Sequence, residues 1–138
     1  MLLLARSAHD AMVHHAIAGL PNEACGLLGG VPGSGRIDAF VATANADASA
    51  KTYAIGPEGF LAADRAFGPA GLDVVGVVHS HTHTDPYPSP TDVDQADNPL
   101  LVGWHYLIVS LRDREPMVRA WLLDDRTIVE QPLAVFDG

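Results

Sequence analysis

The sequence predicts an α/β fold, a mixed sheet flanked by helices, and three observations carry that prediction. Helical and strand-like patterns interleave through the first ninety or so residues, and strand patterns then dominate to the end. Val74 to Val78 is a nearly continuous apolar run rich in β-branched residues, which is how a central strand covered on both faces reads. With 138 residues, 48% of them apolar, the chain is long enough to bury one core and too short to divide comfortably into two, so a single domain over 1–138 is expected.

Met1 to Arg6 reads as a first strand. It is far shorter than the hydrophobic region of a signal peptide, and no basic residue precedes it. Ser7 with Asp10 resembles a helix-opening cap, and Met12, Ala16 and Leu20 form one stripe of a helix running to about Ala18, interrupted by Pro21. Cys25 to Gly29 is a short buried strand. The turn Gly29 to Gly35 closes it, and a second strand from Arg36 to about Thr43 answers it as a hairpin.

Phe60, Leu61, Ala63, Ala66 and Phe67 place a helix between Pro57 and Phe67, ended by Gly68-Pro69. After the central strand, Pro86, Pro88 and Pro90 mark residues 82 to 90 as loop, until a short helix starts near Ser89 or Pro90. Three strands close the chain: Tyr106 to Leu111, Met117 to Leu123, and Thr127 to Leu133, with Asp124-Asp125-Arg126 as a tight turn.

Charge and composition exclude several functions. Eight basic against seventeen acidic residues give a formal charge of −9, which repels phosphate backbones and anionic lipid, and the basic residues do not cluster. Neither nucleic acid nor membrane is an expected partner. No apolar run approaches the ~20 residues of a transmembrane helix. A lone cysteine, Cys25, excludes an internal disulfide and is compatible with the cytoplasm. Within Ala-Cys-Gly-Leu-Leu it reads as a small core residue, and Trp104, His105 and Tyr106 read as packing at a strand start.

His79-Ser80-His81 ends the apolar strand, and residues two apart on a strand project to one face. Both imidazoles therefore aim at one point. Asp92, eleven residues on, follows a loop long enough to turn back and add a hard oxygen ligand. Two histidines and a carboxylate fill three positions of a tetrahedron and leave the fourth open, as in a catalytic rather than a structural zinc site. Asp92 has a second reading, with Ser89 as N-cap, Pro90 at N1 and the acid at N3 of a helix. Capping does not account for the two histidines. In this composition the pattern His-x-His, seven residues, Ser, two residues, Asp has a chance expectation on the order of one in several hundred, so the metal reading is preferred.

With Glu23 upstream, this set resembles the signature of the JAMM, or MPN-plus, zinc metallopeptidases. Asn22-Glu23-Ala24-Cys25-Gly26-Leu27-Leu28 and Tyr106-Leu107-Ile108-Val109-Ser110 are also similar to family segments. His79-Ser80-His81-Thr82, Tyr87-Pro88-Ser89 and Thr91-Asp92-Val93 look closest to compact bacterial members that release cysteine from a sulfur-carrier protein. The resemblance implies a fold akin to that of the cytidine deaminases, with a mostly antiparallel sheet. It implies one zinc ion per chain held by His79, His81 and Asp92, Glu23 as proton shuttle, and Ser89 as hydrogen-bond donor to the developing oxyanion. As an N-cap Ser89 accepts from a backbone N–H, so its own hydrogen stays free and the two roles coexist.

The implied activity is hydrolysis after the Gly-Gly tail of a ubiquitin-like or sulfur-carrier protein, releasing cysteine or a lysine-linked adduct; an oligomer is compatible with it. Two residues depart from the family pattern. Thr82 stands where many relatives have proline, which is expected to loosen the loop and weakens the claim to a ubiquitin-type substrate. His83 is an added histidine, read as solvent-facing. Two competing functions are a scaffold that keeps the fold without catalysis and a zinc deaminase. Retention of every ligand and Glu23 disfavours the first, and absence of a Pro-Cys-x-x-Cys motif disfavours the second.

Overall fold

The computed structural model describes residues 1–137. Strand β1 (Leu2–Ala5) leads directly into helix α1 (Arg6–Ala18), followed by β2 (Cys25–Gly30), β3 (Arg36–Ile37) and β4 (Ala39–Thr43). Helix α2 (Pro57–Phe67), β5 (Asp73–His81) and α3 (Pro90–Ala96) form the middle of the chain. β6 (His105–Ser110), β7 (Met117–Leu122), β8 (Val129–Gln131) and β9 (Leu133–Phe136) complete it. No helix among the described residues is long and apolar enough to cross a membrane.

Six strands form the main sheet in the order β4-β2-β5-β6-β7-β8. Only β5 and β6 run parallel within it. Their connection spans residues 82–104 and carries α3, the kind of crossover that a parallel pair requires. β5 is central, as its apolar run predicts. The sheet's two faces bury different clusters. On one, Leu28, Val78, Leu107 and Val109 pack with Leu4 and with Ala8, Met12 and Ala16 of α1. On the other, Leu27, Val77, Tyr106 and Ile108 pack with Ala63 and Phe67 of α2. Each fully buried leucine removed from water contributes about 1.5–3 kcal/mol.

Four expectations need correction. The helix cap is Ala5, not Ser7, and it makes no side-chain hydrogen bond. β1 pairs with β9 up to Ala5, so the chain turns into the helix at once and Ser7 lies inside its first turn. The strand expected from Arg36 to Thr43 is two strands. Arg36–Ile37 joins a separate three-stranded sheet, β3-β1-β9, while Ala39–Thr43 joins the main one. The break falls at Asp38, whose N–H donates to the Gly29 carbonyl at 2.8 Å. Likewise the strand expected from Thr127 to Leu133 splits at Pro132, which has no N–H for a ladder; β8 stays in the main sheet and β9 pairs with β1. The predicted stripes also shift, because Leu20, Phe60 and Leu61 are exposed.

One irregularity sets the site. Leu28 pairs with Gly76 and Gly29 with Val74, which leaves Val75 without a partner as a bulge in β5. Beyond it Val77, His79 and His81 alternate regularly onto the α2 face. Gly76 is required there, because a Cβ would stand 2.2 Å from the His105 carbonyl oxygen.

Candidate metal centre

His79 and His81 end β5 at period two, and both are buried. Asp92 reaches them from the first turn of α3, where Ser89 and Asp92 form a reciprocal capping box. The Asp92 N–H donates to Ser89 Oγ at 3.1 Å, and the Ser89 N–H donates to Asp92 Oδ2 at 2.8 Å. The capping role and the position beside the histidines therefore belong to one carboxylate.

His79 Nε2 and His81 Nε2 stand 3.1 Å apart, His81 Nε2 and Asp92 Oδ2 3.1 Å, and His79 Nε2 and Asp92 Oδ1 3.2 Å. Ligand atoms placed 2.0–2.1 Å from one tetrahedral centre stand about 3.3 Å from each other. The proton inventory leads to the same conclusion. His81 Nδ1 lies 2.8 Å from the Asp85 carbonyl oxygen, which accepts only, so Nδ1 carries the ring proton of a neutral imidazole. Nε2 is then a bare lone pair directed at an anionic oxygen and a second imidazole nitrogen. In the metal-free site a second ring proton resolves that opposition, a metal cation would do the same, and the Asp85 carbonyl orients the ring in the manner common to metal-bound histidines. Among the described residues His79, His81 and Asp92 form the one group of this kind.

Electrostatics couple the three. Burial alone would raise the Asp92 carboxyl, but hydrogen bonds from His79 and His81 outweigh it and hold the group well below the ordinary carboxylate range. Burial opposes charge on His81 too, yet the Asp92 carboxylate raises its pKa. Tyr53 stacks on His79 with ring centroids 4.3 Å apart and planes at 17°.

Glu23 lies just before β2, almost fully buried. Burial pushes its carboxyl up to about 7, with the Asp92 charge adding to the effect and His81 opposing it. Its backbone is gripped by the 44–56 segment. The Glu23 N–H donates to the Ser49 carbonyl at 2.8 Å, and Asn45 Nδ2 donates to the Glu23 carbonyl at 2.9 Å and to the Thr52 carbonyl at 2.9 Å. A cavity of about 270 Å³ brings together Glu23, His81, Ser89, Lys51, Thr82, His83 and Thr84. The Ser89 hydroxyl accepts from the helix and has no recorded acceptor among the described residues, so its hydrogen is available to this cavity.

The 82–89 loop is pinned rather than loose. Thr82 is buried, and its hydroxyl donates to the Ala50 carbonyl at 3.3 Å. Ser110 Oγ donates to the Thr84 carbonyl at 2.6 Å, and Trp121 Nε1 to the Pro86 carbonyl at 2.9 Å. His83 is exposed on the cavity rim and is not one of the converging residues. Cys25 is a buried core residue whose thiol burial pushes up, and Tyr106 packs in the core. Sequence reasoning missed Asn45, Lys51, Tyr53 and the Asp85 carbonyl. Their segments show polar loop composition but no periodicity or motif that marks a contact with the site.

A mixed sheet whose central strand delivers His-x-His to a capping-box aspartate, beside a buried glutamate, defines a compact protein of the JAMM/MPN-plus class. The chain belongs to the family described as prokaryotic homologs of the JAB domain, matched over residues 5–124. It is 36% identical over 138 residues to a CysO-cysteine peptidase of Mycobacterium tuberculosis, covering 99% of this chain and 92% of the relative. It is 37% identical over 114 residues to a desampylase of Haloferax volcanii, covering 79% and 80%. The solution structure of a Desulfitobacterium hafniense protein superposes with a TM-score of 0.88 at 29% identity, covering 100% of this chain and 94% of that one.

Proposed function

We propose that this hydrolase uses one zinc ion to cleave the peptide bond after the Gly-Gly tail of a small sulfur-carrier or ubiquitin-like protein, releasing a single amino acid, cysteine being the first candidate. The observation that carries the reading is the triangle of His79, His81 and Asp92 with Glu23 and Ser89 on the adjoining cavity. The names of the two curated relatives support a carrier-type substrate.

A zinc ion bound there supplies a Lewis acid and a water acidified to a pKa of about 7. His79, His81 and Asp92 hold and orient the ion. Glu23, buried on the cavity beside the proposed ion, accepts a proton from the attacking water and returns it to the departing amine nitrogen as general base and then acid. The amide C–N bond breaks, one water is consumed, and the products are a carrier carboxylate and a free amine. Ser89 donates its hydroxyl hydrogen to the carbonyl oxygen as charge develops on it. The tail enters extended, and its glycines allow close approach of backbone to the cavity.

The test is incubation with a carrier protein ending in Gly-Gly-Cys, read by mass spectrometry. Loss of one cysteine residue, dependent on metal and on Glu23, supports the reading. An intact carrier after prolonged incubation with zinc-loaded protein overturns it.

A further inference from the structure

We propose that Lys51 binds the α-carboxylate of the departing amino acid, so that the site selects a carrier ending in one free amino acid over a carrier joined to the side chain of a lysine in a folded protein. The inference rests on the proposed hydrolysis after Gly-Gly and narrows its substrate class.

Lys51 is the only lysine of the chain, and it lines the cavity shared by Glu23, His81 and Ser89. Cations are scarce in this protein, and most are engaged. Five of the seven arginines, Arg6, Arg36, Arg112, Arg119 and Arg126, form ion pairs with acidic side chains. Lys51 forms none among the described residues, although acids outnumber bases by seventeen to eight. An ammonium group left unpaired beside a catalytic cavity is free to meet an anion brought by the substrate.

The backbone that carries Lys51 is tied to the site, while its side chain is exposed. Lys51 N–H donates to Ser49 Oγ at 3.0 Å. The preceding residue's carbonyl accepts from Thr82 Oγ1, next to His81, and the Ser49 carbonyl accepts from the Glu23 N–H at 2.8 Å. The segment that carries Lys51 is thus tied to the glutamate on one side and to the end of the histidine strand on the other.

Substrate chemistry makes that position selective. In a carrier-Gly-Gly-amino acid the α-carboxylate sits two bonds from the scissile nitrogen, so it must enter this cavity. There it meets Glu23 and the nearby Asp92 charge in a chain of net charge −9. The proposed zinc ion offsets part of that negative charge, and Lys51 adds a second cation that favours the carboxylate. In a lysine-linked conjugate the scissile nitrogen ends a four-methylene stem and the attached groups are amides, so no carboxylate arrives and Lys51 has no partner. A charge-assisted hydrogen bond of this kind is worth about tenfold or more in affinity.

Three substrates of one sulfur-carrier protein test this: carrier-Gly-Gly-Cys with a free carboxylate, the same molecule made by ligation to cysteinamide, and a carrier joined through Gly-Gly to the ε-amine of a lysine within a folded protein. The wild type should favour the acid over the amide about tenfold in kcat/KM, mainly through KM, and turn over the lysine conjugate least. K51Q should abolish the acid-over-amide preference while zinc content stays at the wild-type level, and K51R should keep the preference. Equal cleavage of acid and amide by the wild type, or a preference that survives K51Q, overturns the inference while leaving the hydrolase reading intact. Cleavage of the lysine conjugate alone, or of none of the three, overturns both.

Discussion

The Asp92 carboxylate accepts the Ser89 N–H at 2.8 Å through the same Oδ2 that lies 3.1 Å from His81 Nε2. Capping of α3 and the convergence of Asp92 on His81 are therefore one structural event. Ser89→Ala removes the cap's side-chain acceptor and the proposed donor to the oxyanion but none of the proposed metal ligands. It should cost about 1 kcal/mol of stability, lower kcat by about 10²-fold, and leave zinc content at the wild-type level. Denaturant unfolding, steady-state kinetics and elemental analysis on one preparation check all three. A variant that loses zinc in proportion to activity would show that the serine acts only by holding Asp92.

Glu23→Gln should keep zinc and lose at least about 10²-fold in turnover. Turnover at the wild-type rate would remove Glu23 from the proton path.

The same residue makes a pH prediction for the metal-free protein. Its carboxyl has an ordinary value of 4.5 and is pushed up to about 7. The folded state therefore holds a proton that the unfolded chain has released. This contribution to stability is complete below pH 4.5 and is lost as pH rises through about 7. Wild type and Glu23→Gln should be similar near pH 4.5, and the variant should be more stable at pH 8 by about 1–3 kcal/mol. Urea unfolding of the two metal-free proteins at both pH values measures the difference, which contradicts the account if it does not grow with pH.

Gly76→Ala tests the scaffold rather than the chemistry. The added Cβ would stand 2.2 Å from the His105 carbonyl oxygen, backbone of the neighbouring strand. The β5–β6 pairing must shift, at about 2–3 kcal/mol, and the histidines at the end of β5 shift with it. Thermal unfolding and zinc affinity should fall together.

The convergence of His79 and His81 was legible because it follows from a strong local signal. A β-branched apolar run predicts β5, and period two then places His79 and His81 on one face whatever the rest of the fold does. Glu23 and Ser89 carry no comparable signal, and only their match to a family pattern singled them out. What was not legible depended on partners distant in sequence. Arg36 to Thr43 alternates as one strand would, and only pairing of Ile37 with Leu4 and of Phe40 with Leu28 divides it between two sheets. Ser7 looks like a cap until β9 is seen to hold the chain up to Ala5. Tyr53 and Lys51 sit in an irregular segment whose placement comes from the Asn45 and Ser49 hydrogen bonds, which no local pattern announces.

The most direct test of the central claim is calorimetric titration of metal-free protein with zinc, alongside His79→Ala, His81→Ala and Asp92→Ala. The account predicts one ion per wild-type chain, a rise in thermal stability of several degrees at zinc well above Kd, and loss of both in each variant. A wild type that binds no zinc, or variants that bind it as tightly as the wild type does, would contradict it.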